Sequence, residues 1–272
     1  MRLRGQGRKC ALATIVDAHG SVPGYAAAKL LVSDDGSIAG TVGGGSVEAA
    51  VCAAAVDVMR TERPQRIPFD LGQDVAFETG LICGGRLEVF IEPILPAPRA
   101  CIFGAGHISR SLSKLLALAG FMSVIVDNRE EMATVERFPD AARVLVSEYE
   151  AIFPDLSITE ETYLVIVTNS HRDDMRVLRM AMGSPARYVA MVGSKRKVVA
   201  LTRELEGEGV SPSAFDRLYA PMGLNLGAQT PEEIAIAVAA EMIAVRRGAP
   251  SNWRSISLSI FAGASARAAE AR

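Results

Sequence analysis

Few residues of this chain suit nucleophilic or metal chemistry. Its 272 residues include four cysteines, three histidines and one tryptophan. The cysteines (Cys10, Cys52, Cys83 and Cys101) form no C-x-x-C pair, which argues against a zinc cluster or a thioredoxin-type centre. In a reducing compartment they are expected as free thiols. Three of them lie in apolar periodic segments where burial is the default; only Cys83 lies in a turn. There is no nucleophile elbow, P-loop or H-E-x-x-H motif, and no pair of carboxylates whose spacing singles them out. The longest apolar runs, such as those within 49–56 and 115–126, are broken by Glu, Asp, Ser or Gly well before the roughly 18 residues of a membrane span. The basic start, Met1 to Lys9, leads into a segment too short and polar for a secretory h-region, so the expectation is a cytoplasmic protein. A formal charge of -2 lacks the basic excess that a nucleic-acid face needs to replace counterions.

What is present is enough apolar material, 49% of residues, for a substantial core and two domains. Three prolines within Pro93 to Pro98 read as an interdomain linker, because proline neither continues a helix nor sits in a central strand. Before it, strands are predicted over Cys10 to Val16, Lys29 to Ser33, Ser37 to Val42 and Leu87 to Ile94, with Asp34-Asp35-Gly36 as a hairpin turn. One helix, from about Ser46 to Arg60, carries Val47, Val51, Ala54, Ala55 and Val58 on one face. After the linker, short apolar strands alternate with amphipathic helices, the rhythm of βαβ units. The strand candidates are Ala100 to Phe103, Val124 to Asp127, Arg143 to Val146, Leu164 to Thr168 and Tyr188 to Val192. A late helix starts at Thr230 as N-cap, with Pro231 at the first helical position and Glu233 completing a capping box. The expected fold is α/β: a small α+β domain over 1–95, a Rossmann-type parallel-sheet domain over 99–247, and a weakly patterned tail over 248–272.

The strongest local motif is Cys101-Ile-Phe-Gly-Ala-Gly-His-Ile-Ser109 between a strand and a helix. Gly104 permits a tight turn, Gly106 lets backbone approach a pyrophosphate, and Ser109 is small enough for close helix packing. Asp127 follows Gly106 by 21 positions at the end of the next strand, near the spacing of an acid that accepts from a ribose hydroxyl. Arg129 suits a 2′-phosphate, which leaves NAD and NADP open. His107, at the helix start, reads either as a phosphate or substrate contact or as an exposed turn residue. Thr168-Asn-Ser-His-Arg-Asp173 and Gly193-Ser-Lys-Arg-Lys197 also follow predicted strands. In the second, Ser194, Lys195 and Arg196 offer an anion contact at a helix N-terminus. In the first half, Gly43-Gly44-Gly45-Ser46 clears backbone for a bulky ligand or a neighbouring domain, with Ser46 as the expected N-cap.

The segments "GSVPGYAAAKLLVSDDGSIAGTVGGGSVEAAV", "GLICGGRLEVFIEPI", "IFGAGHISRSL", "MVGSKRK" and "PMGLNLGAQTPEEIAIAVAAEMIAVR" together resemble the xanthine dehydrogenase accessory protein family, XdhC/CoxI, from about Ala11 to Arg247. The resemblance implies a small N-terminal domain followed by a Rossmann domain. It also implies a carrier role: binding molybdenum (molybdopterin) cofactor, shielding it while a cysteine desulfurase supplies the sulfido ligand, and delivering it to an apo molybdenum hydroxylase. Carried onto this chain, it points to Gly43, Gly44, Gly45, Ser46 and Glu48, to Cys83, Gly84 and Gly85, and to the Rossmann loop. The Cys83 thiolate is then the soft donor for molybdenum or a persulfide. A homodimer would add shielding, although no motif demonstrates one. Ser46 stands where many relatives have Cys, Gly24 where many have Arg, and Asn169 where many have His. Two other readings stay open: an NAD(P)-dependent oxidoreductase, from Gly104, Gly106 and Asp127, and a scaffold bridging desulfurase and hydroxylase without holding cofactor.

Overall fold

The computed structural model describes residues 8–22, 25–71 and 85–249. The chain divides into two compact units, 1–97 and 98–272. In the first, β1 (Cys10–His19), β2 (Lys29–Ser33), β3 (Ile38–Gly40), β4 (Gln65–Asp70) and β5 (Arg86–Ile94) form an antiparallel sheet ordered β3-β2-β1-β5-β4. The single helix described in this unit, α1 (Gly45–Thr61), lays Val47, Val51, Ala55 and Val58 against Ala11, Ala13, Ile15, Leu30, Val89 and Ile91. Residues alternate along β5 between buried and more accessible, as expected of a sheet with one face on a core.

Proline behaves differently here from the sequence expectation. Pro93 lies inside β5, paired with Ala11 of β1. The pairing of β4 with β5 ends at Gln65 and Ile91, so on its other side β5 is already an edge at position 93, where a missing N–H costs nothing. Strand β4, not among the predicted strands, contains Pro68 and is an edge strand. Of the predicted segment Ser37 to Val42, only Ile38–Gly40 is strand.

In the second unit β6 (Arg99–Phe103), β7 (Met122–Asp127), β8 (Arg143–Val146), β9 (Thr162–Ile166), β10 (Tyr188–Met191) and the two-residue β11 (Leu218–Tyr219) make a wholly parallel sheet. Its order is β11-β10-β9-β6-β7-β8. The chain thus winds outward one way from β6 through β7 and β8, then returns to wind the other way from β9, which is doubly wound Rossmann topology. The central strands are buried on both faces. Cys101 and Phe103 join one apolar cluster with Val177 and Leu178 of α4 (His171–Gly183) and Val198 and Leu205 of α5 (Lys195–Gly207). Ala100 and Ile102 join the opposite cluster with Leu112 and Leu116 of α2 (His107–Leu118) and Val238 and Met242 of α6 (Pro231–Arg247). A one-turn α3 (Tyr149–Ile152) packs near α4.

α6 begins as expected, with Thr230 and Glu233 forming a reciprocal capping box. Deeper in the same helix the fully buried Glu241 accepts from the Tyr188 hydroxyl at 2.6 Å and the Gly223 N–H at 2.9 Å. It ties the loop before α6 to the sheet. Glu241→Ala leaves that hydroxyl and that N–H without their acceptor, so we expect a loss of about 2–3 kcal/mol in denaturant unfolding; a change within about 0.5 kcal/mol would count against this role.

Candidate functional site

The winding direction switches between β6 and β9, and the carboxyl ends of such strands are where open α/β sheets bind ligands. The turn leaving β6 lies at this point. Gly104 has φ +108°, and a Cβ there would lie 2.2 Å from the Val167 carbonyl oxygen on the segment leaving β9. Two strand ends therefore touch backbone to backbone, and only glycine permits it. Ser109 is fully buried and its hydroxyl donates to the Gly104 carbonyl at 2.5 Å, pinning the first turn of α2 to the loop.

Gly106 is different. It is the N-cap of α2 in extended backbone (φ -79°, ψ -167°), no side chain caps the helix, and no acidic residue occupies its first turn. A Cβ at Gly106 would meet nothing within 4 Å. No protein neighbour requires glycine there, while uncapped N–H groups at a helix start favour an anion. His107 is exposed and lines a groove with Arg110, Ser111 and Lys114 of α2 and Glu232 and Ile236 of α6.

Asp127 does not occupy the role suggested by its spacing. It is fully buried, and its oxygens accept from the Ala105 N–H at 2.6 Å, the Arg129 N–H at 3.0 Å, and the Arg129 guanidinium at 2.9 and 2.8 Å. The carboxylate anchors the glycine loop from beneath instead of presenting an oxygen to a ribose, and Arg129 is spent on the same pair. Arg137 reaches the Ala105 carbonyl at 3.2 Å, and its buried Nε has no partner among the described residues. Burial pushes the Asp127 carboxyl up, but the hydrogen bonds from Arg129 and Ala105 and the Arg129 charge outweigh it, leaving it below the ordinary value of 3.8. A depressed carboxyl contributes stability that is present above its unfolded value and lost as pH falls through its folded one. Asp127→Asn is therefore expected to be less stable than wild type at neutral pH and to lose less on acidification below about pH 4; parallel stability profiles from pH 7 to pH 2 would refute this.

Along the sheet, the loops after β9 and β10 carry Thr168 and Ser194, and His171 opens α4. Ser194 caps α5 through the Lys197 N–H, whereas Lys195 and Arg196 are exposed. The structure thus brings Gly104, Gly106, His107 and Asp127 together at one end of the sheet, with Ser194 to Arg196 at the same carboxyl edge. Asp174, which the sequence reading passed over, is buried there and forms a partly buried ion pair with Lys197, the last residue of the Gly193 to Lys197 motif. They lie 23 positions apart on successive helices, and only the parallel sheet makes them neighbours.

The other candidates belong to the first unit. Gly43, Gly44 and Gly45 have φ of 117°, 77° and 61°, so backbone conformation alone accounts for three glycines. The N-cap of α1 is Gly44, with no side-chain cap, and Ser46 is an exposed helical residue, not the cap. Glu48 folds back to accept from the Thr41 hydroxyl at 2.7 Å and the Val42 N–H at 3.4 Å, satisfying the turn that enters the helix. A Cβ at Gly85 would lie 2.4 Å from the His19 carbonyl oxygen, so close packing demands that glycine. Cys83, Gly84 and Gly24 lie outside the described residues. Of the thiols described, Cys10 and Cys101 are buried, and burial pushes Cys101 up to about 11. Among the described residues no group of three or more His, Cys, Asp or Glu side chains is arranged to hold a metal ion, and no helix is long and apolar enough to cross a membrane.

A doubly wound sheet whose glycine loop opens onto an uncapped helix, preceded by a small antiparallel α+β unit, defines a two-part protein with a Rossmann-type domain. Residues 101–242 match the XdhC Rossmann domain and residues 3–70 match the XdhC and CoxI family. The chain belongs to the XdhC and CoxI family. It is 36% identical over 250 residues to an uncharacterized protein, YqeB, of Escherichia coli, covering 92% of this chain and 46% of the relative. It is 31% identical over 160 residues to a probable xanthine dehydrogenase subunit of Bacillus subtilis, covering 59% and 46%. Similarity at 22% identity extends over 88% of the chain and 84% of PaoD, a molybdenum cofactor insertion chaperone of Escherichia coli. The chain spans about half the length of the first two relatives. A solved structure described as a xanthine dehydrogenase from Bacillus halodurans shares the fold, with a TM-score of 0.52 at 23% identity over 92% of this chain and 95% of that one.

Proposed function

We infer that the chain is an accessory protein that binds molybdenum cofactor and delivers it to a molybdenum hydroxylase of the xanthine dehydrogenase kind. Family membership and the similarity to PaoD support this reading. The observation that carries ligand binding is Gly106, an N-cap without a side chain in open space at the start of α2. The phosphate of the pterin sits on the N–H groups of that first turn, with His107 beside it and Arg129 and Arg137 behind the loop. Ser194, Lys195 and Arg196 add cations along the same sheet edge. Within the first unit, taken by itself, Gly43 to Ser46 and the segment Cys83-Gly84-Gly85 are proposed as cofactor contacts from the family resemblance, with Cys83 as a soft donor towards molybdenum. Sulfuration with a cysteine desulfurase, residence in the cytoplasm and pairing into a homodimer belong to the same proposal.

The test is purification from a host that makes the cofactor, followed by fluorescence assay of released pterin and reconstitution of an apo-hydroxylase. Bound pterin and faster reconstitution are expected; no pterin and no effect on any apo-hydroxylase would overturn the reading. An NAD(P)-dependent oxidoreductase is disfavoured by one observation: the buried Asp127 carboxylate has both oxygens taken by Ala105 and Arg129. The scaffold reading predicts partner capture that survives loss of pterin in a Cys83→Ala, Gly106→Asp double variant.

A further inference from the structure

A second polar cluster lies at the carboxyl ends of β9 and β10, reached from the glycine loop through Thr168. Asp174, 1% exposed, stands in the first turn of α4, and Lys197 in the first turn of α5. The Lys197 ammonium donates to one Asp174 oxygen and, at 3.3 Å, to the Val192 carbonyl. The Thr168 hydroxyl lies 2.7 Å from the other Asp174 oxygen. Two of the three ammonium N–H groups are thereby used, and the third has no acceptor among the described residues. Pairs of this kind are often replaceable by apolar residues without loss of stability, so tying two helices together is a weak reason for one.

Beside the pair opens a groove of about 410 Å³ lined by His171, Ser194, Arg196, Lys197, Ala200 and Leu201. Among the described residues no carboxylate lines it. Asp174 is matched by Lys197 and Thr168, and neighbouring Asp173 is engaged by the Ser170 hydroxyl and Arg176. Arg196 and His171 have no ion-pair partner among the described residues. The groove therefore gathers a guanidinium, an ammonium, an imidazole and a hydroxyl against a short aliphatic wall. Arg and Lys supply charge-assisted donors to a tetrahedral oxyanion, and Ala200 with Leu201 suit a carbon substituent on it.

We propose that this groove is a second anion subsite of the Rossmann unit. It takes a phosphate monoester, with the phosphate oxygens on Arg196, Ser194 and Lys197 and the esterified group against Ala200 and Leu201. The proposal gives Ser194 and Arg196, counted above among the cations of the carrier reading, an ester site of their own, and it rests on no phosphate at the glycine loop. The test is phosphorus NMR titration of the full chain with phenyl phosphate and with inorganic phosphate. Arg196→Gln, an exposed change that leaves the fold intact, is expected to weaken phenyl phosphate binding at least about tenfold, the effect of one lost charge-assisted hydrogen bond. The Asp174→Leu, Lys197→Met double variant removes both charges of the pair together and is expected to lose the site with its circular dichroism unchanged. Gly106→Asp is expected to keep it. Binding that is indifferent to Arg196→Gln, or that disappears in Gly106→Asp, overturns the proposal. Inorganic phosphate binding as tightly as phenyl phosphate overturns the assignment to an ester. Retained phenyl phosphate binding in a chain that carries no pterin supports this subsite while the carrier reading fails.

Discussion

Gly104→Ala is expected to lower the unfolding midpoint of the Rossmann unit by about 10 °C. The added methyl carbon would lie 2.2 Å from the Val167 carbonyl oxygen, 2.7 Å from its carbon and 3.0 Å from the Thr168 Cα. All three are backbone atoms on the segment leaving a central strand, so no flexible side chain can swing aside. Overpacking of this kind costs about 1–3 kcal/mol, and holding a non-glycine residue at a left-handed φ adds about 1–2. For a unit of this size each kcal/mol moves the midpoint by about 2–4 °C. Thermal unfolding followed by circular dichroism measures it directly, and a fall of under about 3 °C would mean that the two strand ends do not meet as described.

Two positions further on, the opposite outcome is expected. Gly106→Asp fills open space and places a preferred N-cap residue, with favourable charge, at the start of α2. Stability should hold or rise by about 0.5–1 kcal/mol. The same carboxylate stands where the proposed phosphate sits, and like-charge juxtaposition costs several kcal/mol. Pterin content per protein molecule, measured in parallel with wild type from a cofactor-making host, is therefore expected to fall at least about a hundredfold. Loss of stability together with loss of pterin would leave glycine explained by folding alone. Retained pterin would remove the glycine loop from the site. Because aspartate would serve the isolated helix better than glycine, the residue present is informative: it suits a ligand.

Much of this was legible in the sequence because it rests on local chemistry. The β6–α2 glycine pattern, the capping box at Thr230 and Glu233, and the buried stripe of α1 each depend on residues within one or two turns of each other. Proline misled at one side of the first sheet, where Pro93 reads as linker but lies in β5, next to the unpredicted β4 with its Pro68. Whether Pro68 and Pro93 are tolerated depends on which neighbour faces their missing N–H, and that is decided by where β4 starts and stops along β5. The N-cap of α1 moved from Ser46 to Gly44 because three consecutive left-handed glycines carry the chain into the helix earlier than a side-chain cap would.

The functional residues divide in the same way. Spacing placed Asp127 at the correct strand end, but spacing cannot say whether a carboxylate faces a crevice or the underside of a loop. Here burial and the reach of Arg129 turn it under Ala105. Lys197 closes the Gly193 to Lys197 motif, but nothing in the linear chain pairs it with Asp174; parallel order across β9 and β10 brings their helices side by side. The sequence by itself determined the family, the Rossmann rhythm and the glycine loop, because each is written in short-range patterns of size, polarity and backbone freedom. Only the tertiary structure decided which glycine serves the fold and which is open to a ligand, and which charges are consumed internally. Those outcomes depend on distances between segments far apart in the chain.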